Sequence, residues 1–410
     1  MSRKFLICTI CCFLKLTSSI SQGDSTTVKS YPFLFFDTYN KAYNMRLVNQ
    51  NFLSIHNYLW DHKPEGTLPR LIFVFGHLFG MVYTHEAGHQ NVLLSEGIGS
   101  YITPTWNKSG LAIVGGVMDN TLINLRDRNL PAYIRLHTGG LEADYGIIRR
   151  IKVDIALNNH NIKDLGPEYS TRIWASIFYL SSSTFKLYSI PESKDQLNND
   201  IVGHDIWGYI KHINRPDAPF HRYIQFEELT ANERAQLNRI AISSLFNLLG
   251  PGKVKFLVGG SKVSLGGSYL LTPFGDMFEQ SIFIKKKNLK LQTDLRMYQN
   301  KYYQSIGFGI SLFDKKISNN LNINLSANYW SQPSEFSFLT KQFKSGGSID
   351  VLGKWMPKFT EGKFSIDGAL HVKTKGFEPE EPFLSDGIYF RLGLTFYQKF
   401  KNDDSIPLSV

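Results

Sequence analysis

The strongest constraint on the fold is a change of hydrophobic period near residue 253. Beyond this point apolar side chains recur at every second position, as in the runs that begin at Leu289, Leu321, Phe364 and Ile388. Successive side chains on a strand point to opposite faces, so this pattern predicts strands with one apolar face. Short stretches rich in Gly, Asn, Asp and Lys separate the runs, and neighbouring strands are therefore expected to pair antiparallel.

Two architectures fit the strands expected in residues 253–400. Runs of about ten alternating residues, with aromatic side chains near their ends, are typical of outer-membrane-type β-barrels. A soluble antiparallel sheet that rests on a helical domain fits the same pattern. The clearest runs give about six strands, whereas a barrel needs eight or more. Both alternatives stay open, with membrane association slightly favoured, and residues 401–410 are expected to form a tail.

The part of the chain before residue 253 is expected to be mainly helical. A helix should begin near Leu130–Pro131, since proline suits the first helical position. Thr230 and Glu233 match a capping box and predict a further helix start. The aromatic-rich stretch 30–64 is expected to hold one or two helices. The sequence therefore predicts an α+β protein, with a helical domain over 22–252 followed by the β domain.

The first 21 residues have the features of a signal peptide. Arg3 and Lys4 precede a short apolar run, and Ser19-Ile20-Ser21 is a small-x-small cleavage site. All three cysteines of the chain lie in this segment, so a mature chain would have no disulfide or thiolate ligand. Lipidation of one of these cysteines is the alternative. We expect export to the periplasm or outer membrane of a Gram-negative bacterium.

The charge of the chain bears on its partners. The formal net charge is +10, and the excess lysines and arginines are scattered rather than gathered in one block. For an exported protein, nucleic acid is not an expected partner. An anionic membrane surface is a suitable one.

A five-residue motif, His85-Glu86-Ala87-Gly88-His89, carries the clearest chemistry in the chain. Residues four apart share one face of a helix, so the two histidines can bind one zinc ion. The intervening glutamate can reach a zinc-bound water without being a ligand. The alternative is a polar helix end at the surface. Residues 71–83 are almost all apolar, which favours a buried helix and zinc binding. His77 lies about 12 Å from His85 along the axis, and we expect a core histidine there.

A third ligand is expected from the segment 135–145. Glu142 is the first choice, Asp144 the second and His137 the third. Glu142 and Asp144 project about 200° apart on a helix, so both cannot face the metal. Gly139-Gly140 would let another backbone approach closely. The alternative is an ordinary exposed acid pair on an amphipathic helix.

The motif followed by Gly139-Gly140-Leu141-Glu142 resembles the gluzincin-type zinc metallopeptidases over residues 71–145. The resemblance implies a third glutamate ligand on a later helix and a motif glutamate that acts as general base. It departs from the family at Gly146, where many gluzincins have an aspartate. The apolar stretch before the motif also resembles intramembrane metalloproteases, but a second apolar span long enough to match them is missing from the sequence.

These observations predict a zinc-dependent metallopeptidase of the bacterial cell envelope that acts on a peptide or protein substrate. Glu86 would activate the water, and Tyr145 or His204 would stabilise the oxyanion. For His204 the favoured interpretation is a helix start at Asp205. The alternative function is a non-catalytic outer-membrane β-barrel or envelope binding protein, in which the metal site is incidental or structural.

Overall fold

A computed structural model describes residues 27–38, 44–62, 66–107, 110–158, 162–186, 192–251 and 255–400. The expected signal peptide and the tail lie outside these residues. The described part contains seven α-helices and a ten-stranded antiparallel sheet, with a separate two-stranded hairpin. The predicted combination of helices with an antiparallel sheet is present, so the α+β prediction is confirmed in part.

The helices lie between the first and fourth strands of the chain. They are α1 (Met45–Asp61), α2 (Thr67–Ser95), α3 (Asp119–Arg128), α4 (Leu130–Leu157), α5 (Ile162–Ser182), α6 (Asp205–Asn214) and α7 (Ala231–Ser244). Helix α4 begins at Leu130, with the predicted proline as its second residue, and the Asn129 side chain caps it by accepting from the Ala132 N–H. The capping box at Thr230 and Glu233 is also present, so both predicted helix starts are confirmed.

The strands form two sheets. They are β1 (Thr27–Asp37), β2 (Tyr101–Asn107), β3 (Gly110–Gly115), β4 (Lys255–Val258), β5 (Ser261–Thr272), β6 (Gly275–Lys286), β7 (Leu289–Gln299), β8 (Gln304–Ser318), β9 (Leu321–Pro333), β10 (Phe343–Trp355), β11 (Phe364–Lys373) and β12 (Gly387–Phe400). The large sheet has the order β1-β12-β11-β10-β9-β8-β7-β6-β5-β4, and β2 and β3 form a separate pair within the described residues.

The N-terminal strand β1 joins the C-terminal part of the sheet by pairing with β12. In its described residues the stretch 30–64 contains part of this strand and one helix, so one of the one or two predicted helices is present and the strand was not predicted. Tyr31 and Leu34 are buried, whereas Phe35 is exposed. In the described residues β1 and β4 are the two ends of the sheet, and the sheet is not closed into a barrel.

The inner face of the sheet is polar and its outer face is apolar. On β7, Asp294 and Arg296 are buried, while Leu295 between them is exposed. The buried charges are paired: Arg296 Nε lies 2.8 Å from Glu279 Oε2, and Arg149 Nη2 of α4 lies 2.8 Å from Asp294 Oδ2. The outer face carries exposed Leu, Ile, Val, Phe and Tyr side chains on β7 to β12.

Helix α4 is the centre of the fold. Every residue from 132 to 148 is buried, and the helix packs against α2, α5, α6 and strands β5 and β6. The expected burial of the apolar part of α2 is only partly observed, because Phe75 and Phe79 face outward. None of the described helices has both the length and the apolar character needed to cross a membrane.

Candidate metal centre

Helices α2 and α4 meet at a contact between glycines. A Cβ atom on Gly139 would lie 2.7 Å from the Gly88 carbonyl oxygen, and one on Gly88 would lie 2.2 Å from the Gly139 carbonyl oxygen. A Cβ on Gly140 would lie 2.3 Å from His85 Nε2. The close approach expected at Gly139-Gly140 is therefore confirmed, and it places the motif histidines against α4.

The two imidazoles of the motif are held through their Nδ1 atoms. His85 Nδ1 lies 2.8 Å from Asp144 Oδ2, and His89 Nδ1 lies 2.7 Å from the Leu136 carbonyl oxygen. Both Nε2 atoms face Asp205 Oδ2, at 3.7 Å from His85 and 3.2 Å from His89. Candidate ligand atoms of these three residues all lie within 4.8 Å of one another.

Asp205 enters this cluster from the first turn of α6. His204 is the N-cap residue, so the favoured interpretation of a helix start at Asp205 is confirmed. The Tyr179 hydroxyl donates a hydrogen bond of 2.8 Å to Asp205 Oδ2. Burial acts to raise the pKa of Asp205, but His89 and His85 hold that pKa well below its usual range. The carboxylate is therefore ionised and aimed at the histidines.

The metal-free imidazoles hold protons tightly. Burial alone would lower the pKa of both, yet Asp144 raises the pKa of His85 well above its usual value. Asp205 in the same way raises the pKa of His89 to about 9. Without metal, the cluster is thus a set of imidazolium–carboxylate pairs at neutral pH. A metal that binds the Nε2 atoms must displace these protons.

Zinc binding is therefore expected to release protons at pH 7, and zinc affinity should rise as the pH increases toward about 9. The stability of the metal-free fold has the opposite dependence on pH. The stabilisation from protonated His89 is complete below about pH 6.5 and is lost as the pH rises through about 9. Titration calorimetry in two buffers of different ionisation enthalpy measures the protons released. A heat that is equal in both buffers would contradict this account.

Glu86 is a half-buried carboxyl whose electrostatic neighbours include both motif histidines and other acidic groups. Burial raises its pKa to about 7, because His89 and His85 only partly offset the loss of solvent. Burial also raises the pKa of Asp200 well above its usual value, and the charge of Glu86 adds to this effect. Glu86 can therefore take up and release a proton near neutral pH, as a general base requires.

Glu142 does not lie with the histidines. Arg135 contacts both of its oxygens, at 2.9 Å from Nε to Oε2 and 2.6 Å from Nη2 to Oε1. The Glu380 N–H donates to Oε1 at 2.6 Å. The predicted third ligand thus holds the loop between β11 and β12 against α4. Asp144, the second choice, contacts His85 from the Nδ1 side.

The third choice, His137, lies near the cluster without joining it. Its ring stacks on His212, with the ring centroids 5.5 Å apart, and burial lowers its pKa to about 4. Among the described residues it is not part of the group whose ligand atoms converge. Gly208 of α6 packs directly on this imidazole. The geometry gives His137 a packing role between α4 and α6.

The two oxyanion candidates lie in different places. Tyr145 lines a separate cavity of about 320 Å³, which also contains Arg149 and Arg296. Neither motif histidine is among the described residues that line this cavity. His204 lies beside the cluster, stacked on Trp207 at 3.9 Å and near Tyr179 at 5.9 Å between ring centroids. Burial lowers the pKa of His204 to about 4, so its imidazole is neutral at pH 7.

Asp205 and Tyr179 belong to this cluster but were not among the site residues predicted from the sequence. Solvent reaches the cluster at His85, whose side chain is 19% exposed, whereas that of His89 is 3% exposed.

Comparison with protein-family models, with curated proteins and with solved structures gave no match. Any inference about function therefore depends on the geometry of the site.

The glycine contact gives a test of the helix packing. Gly140→Ala is expected to displace the His85 ring and to lower zinc affinity at least tenfold, since the added methyl would overlap Nε2. Gly76→Ala is a matched control, because it lies in α2 and a Cβ there meets nothing within 4 Å. Zinc titrations of the two variants measure the difference. Equal affinities would contradict the packing described.

Proposed function

We propose that this chain is a zinc-dependent metallopeptidase in which His85, His89 and Asp205 are the zinc ligands. Asp205 replaces Glu142, the ligand predicted from the sequence. The observation that carries the proposal is the convergence of both Nε2 atoms on one carboxylate oxygen of Asp205. Both Nδ1 atoms are held from the opposite side, which leaves Nε2 as the metal-binding atom.

The residues present fit zinc in number, type and spacing. Two imidazole nitrogens and one carboxylate oxygen are a common ligand set for catalytic zinc, which keeps the fourth position open. Ligands of one tetrahedral zinc lie about 3.4 Å apart at zinc–ligand distances of about 2.0–2.2 Å. The distances of 3.2 and 3.7 Å from Asp205 Oδ2 to the two Nε2 atoms bracket this value. The hydrogen bond between His85 Nδ1 and Asp144 orients the imidazole, as a carboxylate commonly does for a histidine ligand of zinc.

The residues around the site have distinct roles in the proposed reaction. Bound zinc would act as a Lewis acid and would lower the pKa of the water it binds toward about 7. Glu86 takes the proton of the attacking water and passes it to the nitrogen of the leaving amine, so the proton is conserved. Tyr179 holds Asp205 through its hydrogen bond. His204 stacks near Tyr179, which holds Asp205, and is the oxyanion candidate that we favour. Tyr145 lines a separate cavity and is the less favoured candidate.

We also propose that the protein lies in the bacterial envelope, in contact with lipid. Support comes from the sheet, whose outer face is apolar and whose inner face is charged. This is the inverse of the usual soluble sheet and is typical of proteins whose strands face lipid. The basic net charge also suits an anionic membrane surface. Flotation of the mature chain with anionic lipid vesicles tests this part, and a chain that stays in the aqueous fraction would contradict it.

Peptide hydrolysis tests the catalytic part. The zinc-loaded mature chain, incubated with a mixed peptide library, is expected to produce new amino termini. Cleavage should stop with a chelator and return with zinc, and His85→Gln should be inactive. A chain that binds zinc at this centre but cleaves nothing would favour the alternative, an envelope protein with a structural metal site.

A further inference from the structure

A second histidine cluster lies beside the candidate metal centre, at the junction of three helices. His56 comes from α1, His77 from α2 and Glu168 from α5. Candidate ligand atoms of the three residues all lie within 4.8 Å of one another. All three side chains are buried, with Glu168 wholly inaccessible. The cluster uses none of the residues of the proposed zinc centre.

One polar atom of each residue in this cluster faces the other two, and these facing atoms are not satisfied by hydrogen bonds. His56 Nε2 lies 3.8 Å from Glu168 Oε2, which is too long for a hydrogen bond. His77 Nδ1 contacts the same oxygen. Within the described residues, none of the three atoms that face one another, His56 Nε2, His77 Nδ1 and Glu168 Oε2, makes a hydrogen bond of ordinary geometry. Buried polar atoms without partners are rare and costly, and a bound ion can satisfy them.

The atoms of His56 and Glu168 that face away from the cluster make hydrogen bonds to neighbouring side chains. His56 Nδ1 lies 3.3 Å from Asn57 Oδ1, so this nitrogen is the donor and Nε2 is directed to the glutamate. Arg172 Nε donates to Glu168 Oε1, which leaves Oε2 for the histidines. An ion pair between His77 and Glu168 would explain one contact only. It would leave His56 Nε2 buried beside a carboxylate oxygen that it does not reach.

We propose that His56, His77 and Glu168 form a second metal site, for zinc or another divalent transition metal that prefers imidazole ligands. Two nitrogens and one carboxylate oxygen form a ligand set of this class. The separation of 3.8 Å is close to the spacing of about 3.4 Å between two ligands of tetrahedral zinc. The metal cross-links α1, α2 and α5 in the interior, so its role is structural.

The surroundings agree with a closed, structural site. The ring of Phe73 packs edge-on against His56, with centroids 5.1 Å apart, and Phe52 lies 6.0 Å away. The Arg172 guanidinium covers Phe52 and joins the cluster to the first centre, because its Nη1 lies 2.5 Å from Asp144 Oδ1. Substitution of Glu168 would disturb both sites through Arg172, so histidine variants give the cleaner test.

Zinc content separates the two sites. The mature chain is dialysed against zinc, then against metal-free buffer, and zinc per chain is measured by elemental analysis. We expect two zinc ions in the wild type, one in His77→Gln, one in His85→Gln and none in the double variant. His62→Gln, an exposed histidine at the end of α1 that belongs to neither cluster, should keep two.

The outcomes distinguish this proposal from the catalytic one. One zinc in the wild type that is lost in His85→Gln and kept in His77→Gln would overturn the second site alone. The reverse result would overturn the first site and leave the second. If His77→Gln does not fold, the melting temperature of His85→Gln decides the matter. Zinc should raise it, and an unchanged melting temperature would overturn the second site.

Discussion

Glu142→Ala is expected to lower the free energy of unfolding by about 3–5 kcal/mol while zinc stays bound. The substitution leaves the Arg135 guanidinium buried without its carboxylate, which is the costly way to break a buried ion pair. It also removes the acceptor for the Glu380 N–H, and with it a contact that holds the loop between β11 and β12. Denaturant unfolding, followed by zinc analysis of the refolded chain, measures both quantities.

Asp127→Ala is a suitable control for this prediction. Asp127 also pairs with an arginine, Arg126, but its side chain is 60% exposed. Exposed pairs contribute about 0–1 kcal/mol, so this variant should be close to wild type. A Glu142→Ala chain that keeps its stability and loses zinc would restore Glu142 as the third ligand.

Glu86→Gln is expected to lower kcat by about 10²–10⁴-fold, with zinc content unchanged. The amide keeps the size of the side chain but cannot take a proton from water. Burial raises the pKa of the Glu86 carboxyl to about 7, so the wild-type residue is able to exchange protons at neutral pH. Initial rates on a peptide substrate found in the library screen, with elemental analysis of the same samples, test this expectation.

Glu96→Gln provides the matched control, because Glu96 follows the last residue of the same helix and accepts a hydrogen bond from the Asn129 side chain. This variant should hydrolyse peptide at the wild-type rate. A Glu86→Gln chain with wild-type kcat would exclude Glu86 as the general base, and loss of zinc in that variant would instead point to a ligand role.

The local geometry of the motif could be predicted from the sequence, because it depends only on helical spacing. The glycine contact with α4 was also predictable, since Gly139-Gly140 permits close approach whatever the partner is. The structure pairs Glu142 with Arg135 instead of placing it beside the histidines, and the reason is local. Arg135 lies seven residues earlier, which is two turns along the same helix face, and a buried arginine in that position takes the carboxylate.

Asp205 could not be assigned from the sequence, because the contact depends on how α6 packs against α4. The available signal was a His204-Asp205 pair in an otherwise apolar stretch. Its most common interpretation, the start of a helix, is confirmed and yet does not exclude a place in the site. The pairing of β1 with β12 was hidden for the same reason, since it joins the two ends of the described chain.

The identity of the third ligand is tested most directly by zinc content in three chains, the wild type, Asp205→Ala and Glu142→Ala. The geometry predicts that Asp205→Ala binds one zinc fewer than the wild type after dialysis, since Asp205 Oδ2 faces both motif histidines. Glu142→Ala is predicted to keep the wild-type content. A full zinc content in Asp205→Ala, with loss of one zinc in Glu142→Ala, would contradict the proposed centre.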